Sequence, residues 1–187
     1  PPAPLAIRHH RSGDDGWDTS IFQQTNVPLP TYLGAILVSD FVCVGKDAPN
    51  IGEDALLGGK PLPIQTCASN INPLKSFDFS LEITPTVLES LQNTTGQKYQ
   101  LPKLDQVGIP QFAAGAMENW GLVKYRENLI LWHEDLNTAA EQRGVSSVIA
   151  HELAHMWFGN SLTCEYWEEL WLNEAFASYM EYSAVSN

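Results

Sequence analysis

The chain of 187 residues carries ten basic against twenty-two acidic side chains, a formal charge of −12, with 44% apolar residues and six tryptophans. That composition has ample material for a core and is not that of a disordered chain. The acidic excess speaks against a nucleic-acid partner, which needs a basic patch, and favours solubility and cationic groups near the acidic stretches.

No apolar run approaches the roughly 20 residues needed to span a bilayer. The longest, Leu33-Gly34-Ala35-Ile36-Leu37-Val38, is interrupted by Ser39-Asp40. With Pro1 in first place and no charged-then-apolar leader, the chain is expected to be processed or cut from something longer. Cys43, Cys67 and Cys164 are odd in number and form no C-x-x-C pair, so free thiols are expected rather than a zinc ribbon or a disulfide framework. Asn93-Thr94-Thr95 is a glycosylation sequon.

In chain order, residues 1–30 are rich in Pro, Gly and polar side chains. The pair His9-His10 reads as part of a solvated loop followed by turn chemistry at Ser12–Gly16. Thr31–Val38 and Phe41–Val44 read as one long strand or two short ones, and 45–61 as a loop. Ile64–Cys67 alternates and opens a sheet. Phe77–Leu91 carries helical periodicity, but Pro85 lies inside it, which secures a helix only from Thr86 onward. Leu101–Pro110 reads as a loop and a short strand. Leu122–Tyr125 and Leu129–Trp132 read as two more strands. Gly144 then closes a loop, Ser146 is the expected N-cap of a helix over 146–158, and Gly159-Asn160 stops it. A final helix starts near Glu168 and runs through Met180.

The chemistry concentrates on His151-Glu152-Leu153-Ala154-His155. At about 100° per residue, His151 and His155 stand one turn above each other, about 40° apart, and can share one tetrahedral Zn²⁺. Glu152 sits beside them, in reach of a water rather than of the metal. A third ligand is needed, with the fourth position left open, and Glu174 supplies it: eighteen intervening residues let the chain turn back on a second helix. Asn173 is either a partner for the far nitrogen of a ligating histidine or an ordinary helix amide. Spacing alone reaches metal-assisted hydrolysis and names no substrate.

Gly115-Ala116-Met117-Glu118-Asn119, followed by H-E-x-x-H, eighteen residues and Glu, resembles the gluzincin zinc aminopeptidases of the aminopeptidase N type. The likeness runs through much of 99–182, including Leu101–Val107, Asn119–Leu122 and Leu170–Glu174, and continues more loosely upstream. It implies an α+β fold: residues 63–187 as the front part of a thermolysin-like catalytic domain with a mixed sheet and zinc-binding helices, and 1–62 as the last strands of a β-sandwich domain. It implies one Zn²⁺ per chain on His151, His155 and Glu174, with Glu152 as proton carrier. Glu118 would hold the α-ammonium of a peptide with a free amino terminus, and the backbone around Gly115, Ala116, Met117 and Asn119 would align that peptide as an added strand.

Met156, Ala175 and Tyr166-Trp167 depart from the family's usual Gln, Gly and Trp pair, none of them a ligand or proton carrier. The family's oxyanion-stabilising tyrosine has no match here, so a fragment of weak activity is expected. Family members make an extracellular or secreted ectoenzyme, with any membrane anchor outside this chain, the first expectation, with the cytosol as alternative. A cell-surface binding protein on the same scaffold and a thermolysin-like endopeptidase are the competing readings.

Overall fold

A computed structural model of the chain describes residues 6–7, 21–22, 25, 27–52 and 57–185. The His9-His10 stretch and the Ser12–Gly16 turn lie outside the described residues. Two short strands, β1 (Ala6–Ile7) and β2 (Ile21–Phe22), pair antiparallel by themselves.

The main sheet has five strands: β3 (Val42–Ala48), β4 (Leu62–Ala68), β5 (Leu104–Ile109), β6 (Ala116–Met117) and β7 (Leu122–Arg126), in the order β3-β4-β5-β7-β6. β4, β5 and β7 run parallel, and the outer strands β3 and β6 are antiparallel to their neighbours. The sheet is therefore mixed, and with the helices packed on it the fold is α+β. β3, on the amino-terminal side of the expected boundary at 62/63, pairs along its whole length with β4.

The Thr31–Val38 strand does not form. Pro30 leads into a short 3-10 turn, Thr31–Leu33, that buries Leu33, and Ile36 and Val38 stand 82% and 93% exposed. β-branched composition supplies the conformation, but a strand also needs a neighbour for its backbone groups, and among the described residues this stretch has none. The strand begins at Val42 and takes in residues 45–48 of the expected loop.

The expectation of three free thiols is corrected as well. The β3–β4 register sets Cys43 opposite Cys67 with Cα atoms 4.0 Å apart, and the two form a disulfide. Cys164 is free and half-buried.

Helix α1 (Asp78–Thr95) crosses from β4 to β5 and starts two turns earlier than Pro85 allows by rule. The ring costs one hydrogen bond and some distortion, about 3 kcal/mol. Burial of Leu81, Val87, Leu88 and Leu91 against the sheet, at about 2 kcal/mol each, outweighs it. Buried polar bonds fix the docking. Thr66 and Ser80 hydroxyls are 3.1 Å apart, Gln106 Nε2 donates to Thr84 Oγ1 at 2.8 Å, and Tyr125 donates to Gln106 Oε1 at 3.1 Å. Gly96 ends the helix in the left-handed region, at φ 69°.

Leu129–Trp132 is not a strand. A 3-10 turn, Glu127–Leu129, takes the amides of Ile130 and Leu131 back to the Glu127 carbonyl, and Trp132 N–H goes to Ser76 O. The apolar run serves burial of Ile130 and Leu131 rather than a ladder.

Helix α2 (Ala139–Ala154) begins well before Ser146. Thr138 is the N-cap in a capping box with Glu141, each side chain satisfying the other's backbone N–H. Gly144 lies inside the helix at a cost of about 1 kcal/mol, which the cap offsets. The α-helix stops at Ala154, and His155 is its C-cap. After a 3-10 turn, Trp167–Glu169, helix α3 (Leu170–Val185) packs back on α2 with Asn173, Ala177, Met180 and Ala184 buried. No helix among the described residues is long and apolar enough to cross a membrane.

Candidate active site

The antiparallel return of α3 brings Glu174 to the two histidines. His151 Nε2 and His155 Nε2 are 3.2 Å apart, and Glu174 Oε2 is 3.4 Å from the first and 3.7 Å from the second. Ligands about 2.1 Å from a tetrahedral ion stand about 3.4 Å from one another, so these three atoms have the spacing of one face of a metal tetrahedron. Among the described residues this is the one such cluster of His, Cys, Asp and Glu side chains. His155 is 2% exposed and the Glu174 side chain 50%, which closes one side of the triangle and leaves the other open.

The second nitrogens fix how the imidazoles present themselves. His155 Nδ1 lies 2.8 Å from the Phe158 carbonyl, which can only accept, so Nδ1 carries a proton and Nε2 is left for a cation. His151 Nδ1 is 3.2 Å from Glu181 Oε2, with the same consequence. Ser147, one turn before His151, donates to the other Glu181 oxygen. Glu181 was missed in the sequence although the signal was there: it follows Glu174 by two turns of α3 and so shares its face. Of the two readings of Asn173, the partner of a histidine's far nitrogen is not seen among the described residues. Asn173 Nδ2 is buried without a hydrogen-bond partner among the described residues, and the far nitrogens are held by Phe158 and Glu181.

Glu152 points the other way from a surface carboxylate's usual fate. It is 6% exposed, and its Oε2 has no hydrogen-bond partner among the described residues. Burial pushes its carboxyl up to about 8; His155 opposes that rise, and the Glu118 and Glu174 charges add to it. For His155, burial acts to lower the pKa, but the Glu174 hydrogen bond, the Glu118 and Glu152 charges and the Phe158 carbonyl outweigh it and push it up to about 9. Glu174 is held below the usual carboxylate range, first by its hydrogen bond to His155.

A consequence for metal uptake follows from the sign of these shifts. A metal-free His155 with a raised pKa keeps its proton up to about pH 9, and a cation must displace it. Affinity should therefore rise with pH by at least about tenfold per unit and level off above about 9, with Glu152 adding part of a second released proton. Competition titrations against a chelator at several pH values measure the slope; a flat profile between pH 6 and 8 would contradict it.

Glu118, 8% exposed, directly follows β6 at the sheet edge. Ala116 pairs with Tyr125 and Met117 with Lys124, so β6 bonds β7 on one side only among the described strands. Gly115, at φ 90°, turns the chain into this strand, and its carbonyl accepts from Arg126 N–H at 2.6 Å. The Arg126 guanidinium braces the preceding loop through the Phe112 and Ala113 carbonyls. Glu118 is close enough to Glu152 and His155 to raise the pKa of both. Asn119, 2% exposed, follows it into the interior.

Residues 79–187 match the peptidase family M1 domain. The chain belongs to peptidase family M1. It is 38% identical over 183 residues to glutamyl aminopeptidase of Sus scrofa, and 43% identical over 170 and 169 residues to aminopeptidase N of Bos taurus and of Homo sapiens. These alignments cover 98%, 91% and 90% of this chain but 18%, 17% and 16% of the relatives, so the chain spans under a fifth of their length. The M1 match opens at the second residue of α1 and takes in every residue of the site described above.

Proposed function

We propose that the full-length protein is a zinc aminopeptidase that hydrolyses the first peptide bond of peptides with a free amino terminus. The observation that carries this reading is the buried Glu152 carboxyl, whose Oε2 has no partner among the described residues, beside a three-donor triangle, with Glu118 within electrostatic reach directly after the edge strand. A buried carboxylate oxygen left without a partner is costly in a purely structural role. Relatives named as aminopeptidases support the same reaction.

His151, His155 and Glu174 hold one zinc ion. When bound, zinc supplies Lewis-acid polarisation of the scissile carbonyl and of water. Glu152 accepts the proton that water loses on attack and passes it to the departing amine nitrogen, which balances the hydrolysis. The free edge of β6, with Gly115, Ala116 and Met117, aligns the substrate backbone as an added strand, and Asn119 anchors the end of that strand. Glu118 takes the α-ammonium. A carboxylate at a fixed place relative to the zinc ligands measures one residue from the chain end, which distinguishes this reading from endopeptidase action.

The Cys43–Cys67 disulfide supports an oxidising compartment, and with it a place on the extracellular face of the plasma membrane or in secretion. Asn93 of the sequon is exposed in the last turn of α1 and is proposed to carry a glycan.

The test is a matched pair of substrates, an aminoacyl-anilide and its N-acetyl derivative, with the full-length protein and Glu118→Ala. The free-amine form should be preferred by roughly a hundredfold or more in kcat/KM, and Glu118→Ala should abolish most of that preference. Equal turnover of the two substrates by the unmodified protein would refute the reading.

A further inference from the structure

Between the helix that carries His151 and His155 and the residues that follow β6 lies a closed ring of hydrogen bonds, one buried and two part-buried. Asn160, 3% exposed, donates from Nδ2 to the Glu118 carbonyl at 2.9 Å. A carbonyl only accepts, so the bond also settles which way the amide is turned. Asn119 Nδ2 donates to the Tyr32 carbonyl at 3.4 Å, and the Tyr32 hydroxyl donates to the Gly159 carbonyl at 2.8 Å. The chain thus runs Tyr32, Gly159-Asn160, Glu118-Asn119 and back to Tyr32. Trp167 packs edge-on against the Tyr32 ring with centroids 5.3 Å apart.

The same turn also holds a metal-ligand side chain. Phe158, one residue before Gly159, accepts from His155 Nδ1. Gly159 adopts φ 125°, and a Cβ there would come within 3.0 Å of His155 Nδ1. One tight turn, 158–160, therefore fixes His155 through a carbonyl and Glu118 through an amide.

We propose that Asn160 is a positioning residue for Glu118, and that Tyr32 closes the frame, so that the turn after the zinc helix sets how far the amine-binding carboxylate stands from the metal ligands. This rests on the aminopeptidase reading of Glu118. Asn160 itself touches neither substrate nor metal in this arrangement; it acts through the Glu118 backbone. Neither residue is among the zinc-ligand, proton-carrier or amine-binding positions that the sequence singles out. Tyr32 lies more than eighty residues upstream of Glu118, in the stretch expected to be a strand.

The test uses the full-length protein, with the free-amine and N-acetyl substrates, zinc content, and four variants: Asn160→Ala, Tyr32→Phe, Glu118→Ala and Glu118→Ala/Asn160→Ala. Asn160→Ala should keep one zinc per chain, raise KM for the free-amine substrate about tenfold with kcat nearly unchanged, and lower the free-amine preference by the same factor. Tyr32→Phe, which keeps the ring against Trp167, should move the preference in the same direction by about threefold. Added to Glu118→Ala, Asn160→Ala should cost nothing further, because its effect passes through Glu118. Preference unchanged in Asn160→Ala, or a full additional loss in the double variant, overturns the positioning role alone. Should Asn160→Ala fail to fold, Tyr32→Phe decides, and unchanged preference there overturns the role. No loss in Glu118→Ala overturns the aminopeptidase reading of Glu118 and the positioning role with it.

Discussion

Glutamine in place of Glu152 is expected to lower kcat by about 10³-fold while zinc content and KM change by less than about threefold. The amide has the shape of the carboxylic acid but can neither accept the proton that water gives up nor return it to the leaving nitrogen. Folding should not suffer. Among the described residues Glu152 Oε2 makes no hydrogen bond that the substitution would break, and the carboxyl already resists ionisation through burial, which pushes its pKa up to about 8. Steady-state kinetics on an aminoacyl-anilide, with metal analysis of the same preparation, measures both quantities. A variant that keeps more than about a tenth of kcat would show that Glu152 does not carry the proton.

The other large effect is loss of the metal in His155→Ala. His155 contributes one of three donor atoms, sits 2% exposed, and is locked by the Phe158 carbonyl with Nε2 toward His151 and Glu174. Its removal leaves two protein ligands, one of them half-exposed, and an empty space where the ring was. Zinc should fall from one per chain to nearly none after dialysis, and activity with it. The protein should also melt at a lower temperature than the zinc-loaded parent, because metal binding to the folded state stabilises it. Glu181→Gln gives the graded comparison: the ligands stay, His151 loses a charged partner, and zinc affinity should drop by about 10- to 100-fold. Retention of stoichiometric zinc by His155→Ala would place the metal elsewhere.

The His151, His155 and Glu174 triangle was legible because its signal is local and periodic. His151 and His155 follow the helical repeat, and Glu174 follows from the length of chain needed to turn back. Glu181 obeys the same repeat as Glu174, and a search for second-nitrogen partners two turns on would have found it. What was not legible depends on pairing between distant segments. Cys43 and Cys67 are 24 residues apart with nothing local to link them; only the antiparallel register of β3 and β4 sets them opposite. Thr31–Val38 has strand composition and no strand neighbour among the described residues, so Pro30 and the burial of Leu33 decide its shape instead. At α2 the error was one of weighting. Gly144 reads as the end of a loop, whereas Thr138 and Glu141, a capping pair three residues apart, outweigh a single exposed glycine and start the helix earlier. Tyr32 and Asn160 could not be singled out, since each acts through backbone carbonyls that a sequence does not place.

The most direct measurement for the central claim is product mapping by mass spectrometry, with the full-length zinc-loaded protein and an unblocked peptide of about ten residues. The account predicts a ladder of products, each shorter by one residue from the amino terminus, and no cleavage of the same peptide when acetylated. Internal fragments, or equal digestion of the acetylated peptide, would contradict it.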